Sequence, residues 1–64
     1  MQKESFEVET EQEGERLDKF LSIIYPGFSR AFFQKLIKNK QVSVNDNVQK
    51  ASYCVKADDI VTVE

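Results

Sequence analysis

At 64 residues, 41% of them hydrophobic and 31% charged, the chain has room for one small domain and none for a deep catalytic cleft. A mean hydropathy of −0.48 with no long apolar run excludes a membrane-spanning helix; one cysteine and no histidine leave zinc sites, internal disulfides and thiol catalysis without partners. The formal charge of −2 hides a segregation, with seven acids against two bases from Met1 to Asp18, seven bases against Asp46 alone from Lys19 to Lys56, and three acids in the tail. A surface binds a polyanion through its local potential, and beyond a Debye length of about 8 Å the distant acids fade from relevance.

Phe6, Val8 and Thr10 alternate with Glu7, Glu9 and Glu11, which predicts a first strand with one wet face. Gln12 to Glu15, with Gly14 inside it, reads as a turn. From Arg16 to Tyr25 the residues Leu17, Phe20, Leu21 and Ile24 form one apolar stripe, the mark of a first helix, which Pro26 and Gly27 end. Asp18 in its opening turn is read as an acid that complements the helix dipole.

Ser29 is placed to cap a second helix, Arg30 to Asn39, by accepting a bond from a free first-turn amide. Phe32, Phe33, Leu36 and Ile37 then fall within roughly 140° on one side, and Arg30, Gln34, Lys35 and Lys38 occupy the opposite arc. Val42 and Val44 flank Ser43 ahead of a tight turn at Asn45-Asp46-Asn47 into Val48, which predicts a short hairpin. A looser stretch holds Tyr53, Cys54 and Val55, with Cys54 expected to be a buried small hydrophobe. The Ala57-Asp58-Asp59 turn leads to a final strand from Ile60 to Glu64.

The expected architecture is therefore α+β, two packed helices against a small, mainly antiparallel sheet. Residues 1 to 64 are expected to form a single domain, an N-terminal piece of a longer chain, because the apolar rhythm has no terminal signal. Met1 to Ser5 lacks the order of a signal peptide, so a cytoplasmic monomer is expected.

Four bases and no acid lie between Phe28 and Asn45. At the start of the second helix, free amides and partial positive charge suit a phosphate, and Arg30 could grip one with two parallel bonds. Lys35 and Lys38 would act as flanking point charges. The plainer account, that these cations merely solvate an exposed face, stays open on charge alone. Tyr25 and Tyr53 could stack on an unpaired base, but packing at the edge of the core is the simpler expectation.

RLDKFLS (Arg16 to Ser22), SRAFFQKLIKNKQVSVN (Ser29 to Asn45) and VKADDIVTVE (Val55 to Glu64) together resemble the small RNA-binding domain named after protein four of the small ribosomal subunit. The resemblance implies two helices beside a small sheet, structured RNA as partner, and Arg16, Ser29, Arg30, Lys35, Lys38, Asn45 and Lys50 as RNA-facing candidates. A strand like FEVE and a phrase like YPGFSR also resemble the N-terminal module of bacterial pseudouridine synthases that act on large-subunit ribosomal RNA. That finer likeness implies a covalently linked catalytic domain elsewhere, ribosomal RNA as target, and no cofactor, metal or catalytic residue in this segment; Asp18 is not the catalytic aspartate. Asn45-Asp46 stands where the family usually has Asn-Gly, and Ala31-Phe32-Phe33 follows Ser-Arg where relatives often carry a small polar or basic residue. Both departures suggest weaker binding. The rival expectation is a protein-interaction or architectural domain with the same fold and little RNA affinity.

Overall fold

The computed structural model describes residues 3–64. Strand β1 (Glu4–Glu7) leads into a short 3-10 turn (Thr10–Gln12), then helix α1 (Leu17–Ile24), helix α2 (Arg30–Lys38), strand β2 (Val42–Val44) and strand β3 (Ile60–Val63). The three strands form one antiparallel sheet in the order β1-β3-β2. The C-terminal strand is thus the central one. The two helices pack on each other, and α2 rests against β2.

Each helix forms for a local reason. The α1 stripe buries Leu17, Phe20 and Leu21, and the helix ends at Tyr25, just before Pro26. In α2 the Ser29 hydroxyl accepts the Phe32 amide at 3.2 Å, as the sequence predicts, and Phe33, Leu36 and Ile37 are buried. These side chains meet Val42, Val44, Val61 and Val63 from the sheet, with Val8 and Val55 closing the core. Fully burying one such side chain is worth about 1.5–3 kcal/mol, so this single cluster supplies most of what a domain this small can have.

Three expectations change. The first strand stops at Glu7 because Thr10 to Gln12 turns instead: the Glu9 amide donates to Gln12 Oε1 at 2.8 Å and the Gln12 amide to the Glu9 carbonyl at 2.9 Å. Gly14, at φ 94°, completes the reversal. The hairpin after β2 is a single rung between Val44 and Asn47, with Asn45 and Asp46 both at positive φ; β2 then takes β3 as its partner, because Ile60 to Val63 supplies four strand-forming residues and Gln49 and Lys50 do not. Cys54 is exposed, not buried. Extended backbone alternates its side chains, so turning Tyr53 and Val55 inward turns Cys54 out.

The long excursion between Asn47 and Ile60 is fixed by backbone bonds to the entrance of α1. The Gly14 amide donates to the Val55 carbonyl, the Val55 amide to Glu15, Leu17 to Tyr53, and Asp18 to Ala51. A second anchor is Asp59, which is buried. Its carboxylate accepts Asn45 Nδ2 at 2.9 Å, the Tyr53 hydroxyl at 2.7 Å and the Lys56 amide at 2.9 Å. Burial alone would raise the Asp59 pKa; the Tyr53 hydroxyl, the Lys56 amide, Asn45 and the Lys56 charge outweigh it and hold the pKa low.

Candidate nucleic-acid interface

Asp18 lies one residue inside α1, where its Oδ1 accepts the Lys19 amide at 2.8 Å, the local role that its position suggests. Its surroundings go well beyond that. The carboxylate is fully buried, and Arg16 grips it with two parallel bonds of 3.2 Å, Nε to Oδ1 and Nη2 to Oδ2. From α2, Gln34 Nε2 donates to Oδ2 at 2.8 Å and Arg30 Nη2 approaches it at 3.4 Å. The segregation of acids from bases along the sequence therefore does not carry over into space at this residue. Desolvation pushes the Asp18 pKa up; bonds from Gln34 and Lys19, with the charges of Arg30 and Arg16, overcome it and leave the carboxyl below its ordinary range.

One buried acid thus holds two arginines and an amide from two helices. Neither arginine is consumed, since their side chains remain 47% and 46% exposed. Arg30 is tethered through Nη2 alone, so among the described residues Nε and Nη1 have no partner and are left as spare donors. Two cations against one carboxylate leave a local surplus of positive charge.

Along α2, Arg30, Gln34 and Lys38 are spaced four residues apart and form one row. Across from it runs the segment of Val48, Gln49, Lys50 and Ala51, and the two enclose an open groove of about 500 Å³ with Lys38 and Lys50 among its lining residues. Among the described residues no acid lines that groove. Lys35 stands about 140° around the helix from Arg30 and about 60° from Lys38, at the edge of the row and outside the groove. Ser29 is exposed, with its oxygen engaged by the cap and its proton available to a ligand.

Asn45 is differently employed. Its Nδ2 donates to Asp59 and its Oδ1 accepts the Ile60 amide at 2.9 Å, so both ends of the amide serve the fold. The tyrosines pack as core-edge residues: Tyr53 donates to Asp59, and Tyr25 donates to Glu4 while its ring sits against Phe6 and Phe33. Burial and Glu4 push the Tyr25 hydroxyl pKa up to about 12. Among the described residues no group of three or more His, Cys, Asp or Glu side chains could hold a metal ion, and no helix is long and apolar enough to cross a membrane.

A second surface lies around the other side of α2. Phe28 is 51% exposed and stacks on Phe32 with ring centroids 4.7 Å apart, beside a small apolar pocket reaching Tyr25, Leu36 and Val63. Phe32 is about 160° around the helix from Arg30. Aromatic and cationic faces therefore do not mix.

A family model described as S4 domain matches residues 15–61. An uncharacterized RNA pseudouridine synthase of Aquifex aeolicus (strain VF5) is 50% identical over 50 residues, covering 77% of this chain and 16% of its own length. The uncharacterized RNA pseudouridine synthase YlyB of Bacillus subtilis (strain 168) is 43% identical over 53 residues, covering 83% of this chain and 18% of its own. The chain spans less than a fifth of the length of these curated relatives.

Proposed function

The chain belongs to the S4 domain family, which implies RNA binding, and from that premise we propose that it positions a pseudouridine synthase domain on structured, ribosomal RNA. The observation that carries this reading is the pair Arg16 and Arg30 held by a buried Asp18, with Lys38 further along α2 and Lys50 across the groove from it. The two similar proteins named as RNA pseudouridine synthases support the enzymatic context. In this reading catalysis belongs to a separate part of the protein.

Phosphate contact dominates the binding. Arg30 offers its free guanidinium edge and the Ser29 hydroxyl lies beside it; Arg16, Lys38 and Lys50 extend the track, and Lys35 adds long-range attraction. Asn45 holds the turn that orients the groove wall. Such contacts read shape and backbone, so isolated binding is weak, with dissociation constants of about 10⁻⁴ to 10⁻⁶ M and little discrimination among sequences. Chemical-shift titration with structured ribosomal RNA fragments tests this. Perturbations centred on α2 and residues 48 to 51 are expected, and a scatter over β1 and the 3-10 turn would count against it.

Exposed Phe28, stacked on the half-buried Phe32, favours a second reading, in which the domain docks a protein and has little affinity for RNA. Unchanged RNA retention at low salt in an Arg30→Ala/Lys38→Ala variant would decide for that alternative.

A further inference from the structure

The groove between α2 and residues 48 to 51 has features that phosphate binding does not need. Val48 and Ala51 give its facing wall apolar side chains, with Ile37 at its base, and Val48 is left 53% exposed where a solvated wall would carry a polar side chain. A cation stands on each side, Lys38 on the helix and Lys50 on the facing segment. Gln34 lines the groove on the helix side, one turn before Lys38, and its amide orientation is set from beneath. The ionised Asp18 carboxylate can only accept, so the Gln34 NH₂ must point to it, at 2.8 Å, and Oε1 is turned away as a fixed acceptor. The wall opposite is equally fixed, because the Ala51 carbonyl accepts the Asp18 amide. Apolar faces, an edge acceptor and flanking cations complement an unpaired nucleotide, with its flat base, its N–H edge and its two neighbouring phosphates.

We propose that this groove seats one unpaired nucleobase of the bound RNA, packed on Val48 and Ala51, with a base N–H donating to Gln34 Oε1 and the adjoining phosphates on Lys38 and Lys50. The inference rests on the RNA-binding reading and sharpens it: the preferred ligand is a helix interrupted by a bulge or loop nucleotide, not a continuous duplex. Base edges in a continuous RNA helix lie stacked and paired, out of reach of a groove this shallow.

The test uses two RNA hairpins of the same helical sequence, one fully paired and one with a single bulged nucleotide, titrated into the protein at low salt by fluorescence anisotropy. The bulged hairpin is expected to bind about fivefold more tightly, equivalent to about 1 kcal/mol. Val48→Ser, a change at an exposed position, should cut that preference to below about twofold and leave affinity for the paired hairpin unaltered, since no phosphate contact is touched. The bound base should also shift the Ala51 methyl resonance several times further than the paired hairpin does. Equal affinity for the two hairpins overturns the subsite while leaving phosphate binding intact. So does a bulge preference that survives Val48→Ser. Failure to bind either hairpin overturns the RNA-binding reading itself, and the subsite with it.

Discussion

Asp18 and Asp59 are both buried carboxylates saturated with hydrogen-bond donors, yet they do different work. The donors to Asp59 are neutral, an amide, a phenol and a backbone N–H, and every one of them ends inside the fold. Two of the donors to Asp18 are guanidinium groups that remain nearly half exposed, from residues 12 and 2 positions away in sequence. An acid surrounded by neutral donors fastens a loop. An acid beneath cations fixes charges that point at something else, and the difference separates structure from site within one small domain.

The largest expected effect comes from the purely structural acid. Asp59→Ala strands three donors and should destabilise the domain by about 2–4 kcal/mol, read as a lowered urea midpoint. Where the variant is still folded, RNA affinity should stay within about twofold of wild type.

Acid titration engages both carboxylates. Each has a folded-state pKa held below its unfolded value, so their contribution is present above the unfolded pKa and is lost as pH falls through the folded one. Thermal melts should therefore show stability falling as the pH drops below about 4. Asp59→Asn should flatten that slope without altering RNA binding at neutral pH.

Two substitutions that remove the same charge sharpen the contrast by their signs. Asp18→Asn removes a negative charge from a polyanion-binding face, and simple electrostatics predicts tighter binding. The geometry predicts the reverse, about tenfold weaker, because Arg16 and Arg30 lose the carboxylate that orients them. Asp46→Asn, in the exposed turn ahead of the groove wall, should instead strengthen binding about twofold. Anisotropy titrations at one ionic strength, with near-ultraviolet circular dichroism to confirm folding, compare the two.

The elements with strong local signals were legible in the sequence. The apolar stripes of both helices, the Ser29 cap, the break at Pro26-Gly27 and the strand at Ile60 each follow from residues within a few positions of one another. So does the bare fact of a basic row on α2. What stayed hidden was the pairing across distance. Nothing near Asp18 announces that Gln34, 16 residues on, will donate to it, or that β2 will choose a strand beyond a long excursion over a turn neighbour. One signal was available: Gln34 stands between Arg30 and Lys38 in the same four-residue row, and a neutral amide amid cations invites the question of which acid lies beneath. The exposure of Cys54 was missed because its side-chain type suggests burial, whereas the alternation of extended backbone decides its direction.

The most direct measurement is the slope of log binding constant against log salt concentration for one structured RNA, with wild type beside Arg30→Gln/Lys38→Gln. The cationic row predicts at least a tenfold loss of affinity and a slope shallower by about 2, one for each phosphate contact removed. An unchanged affinity with an unchanged slope would contradict it.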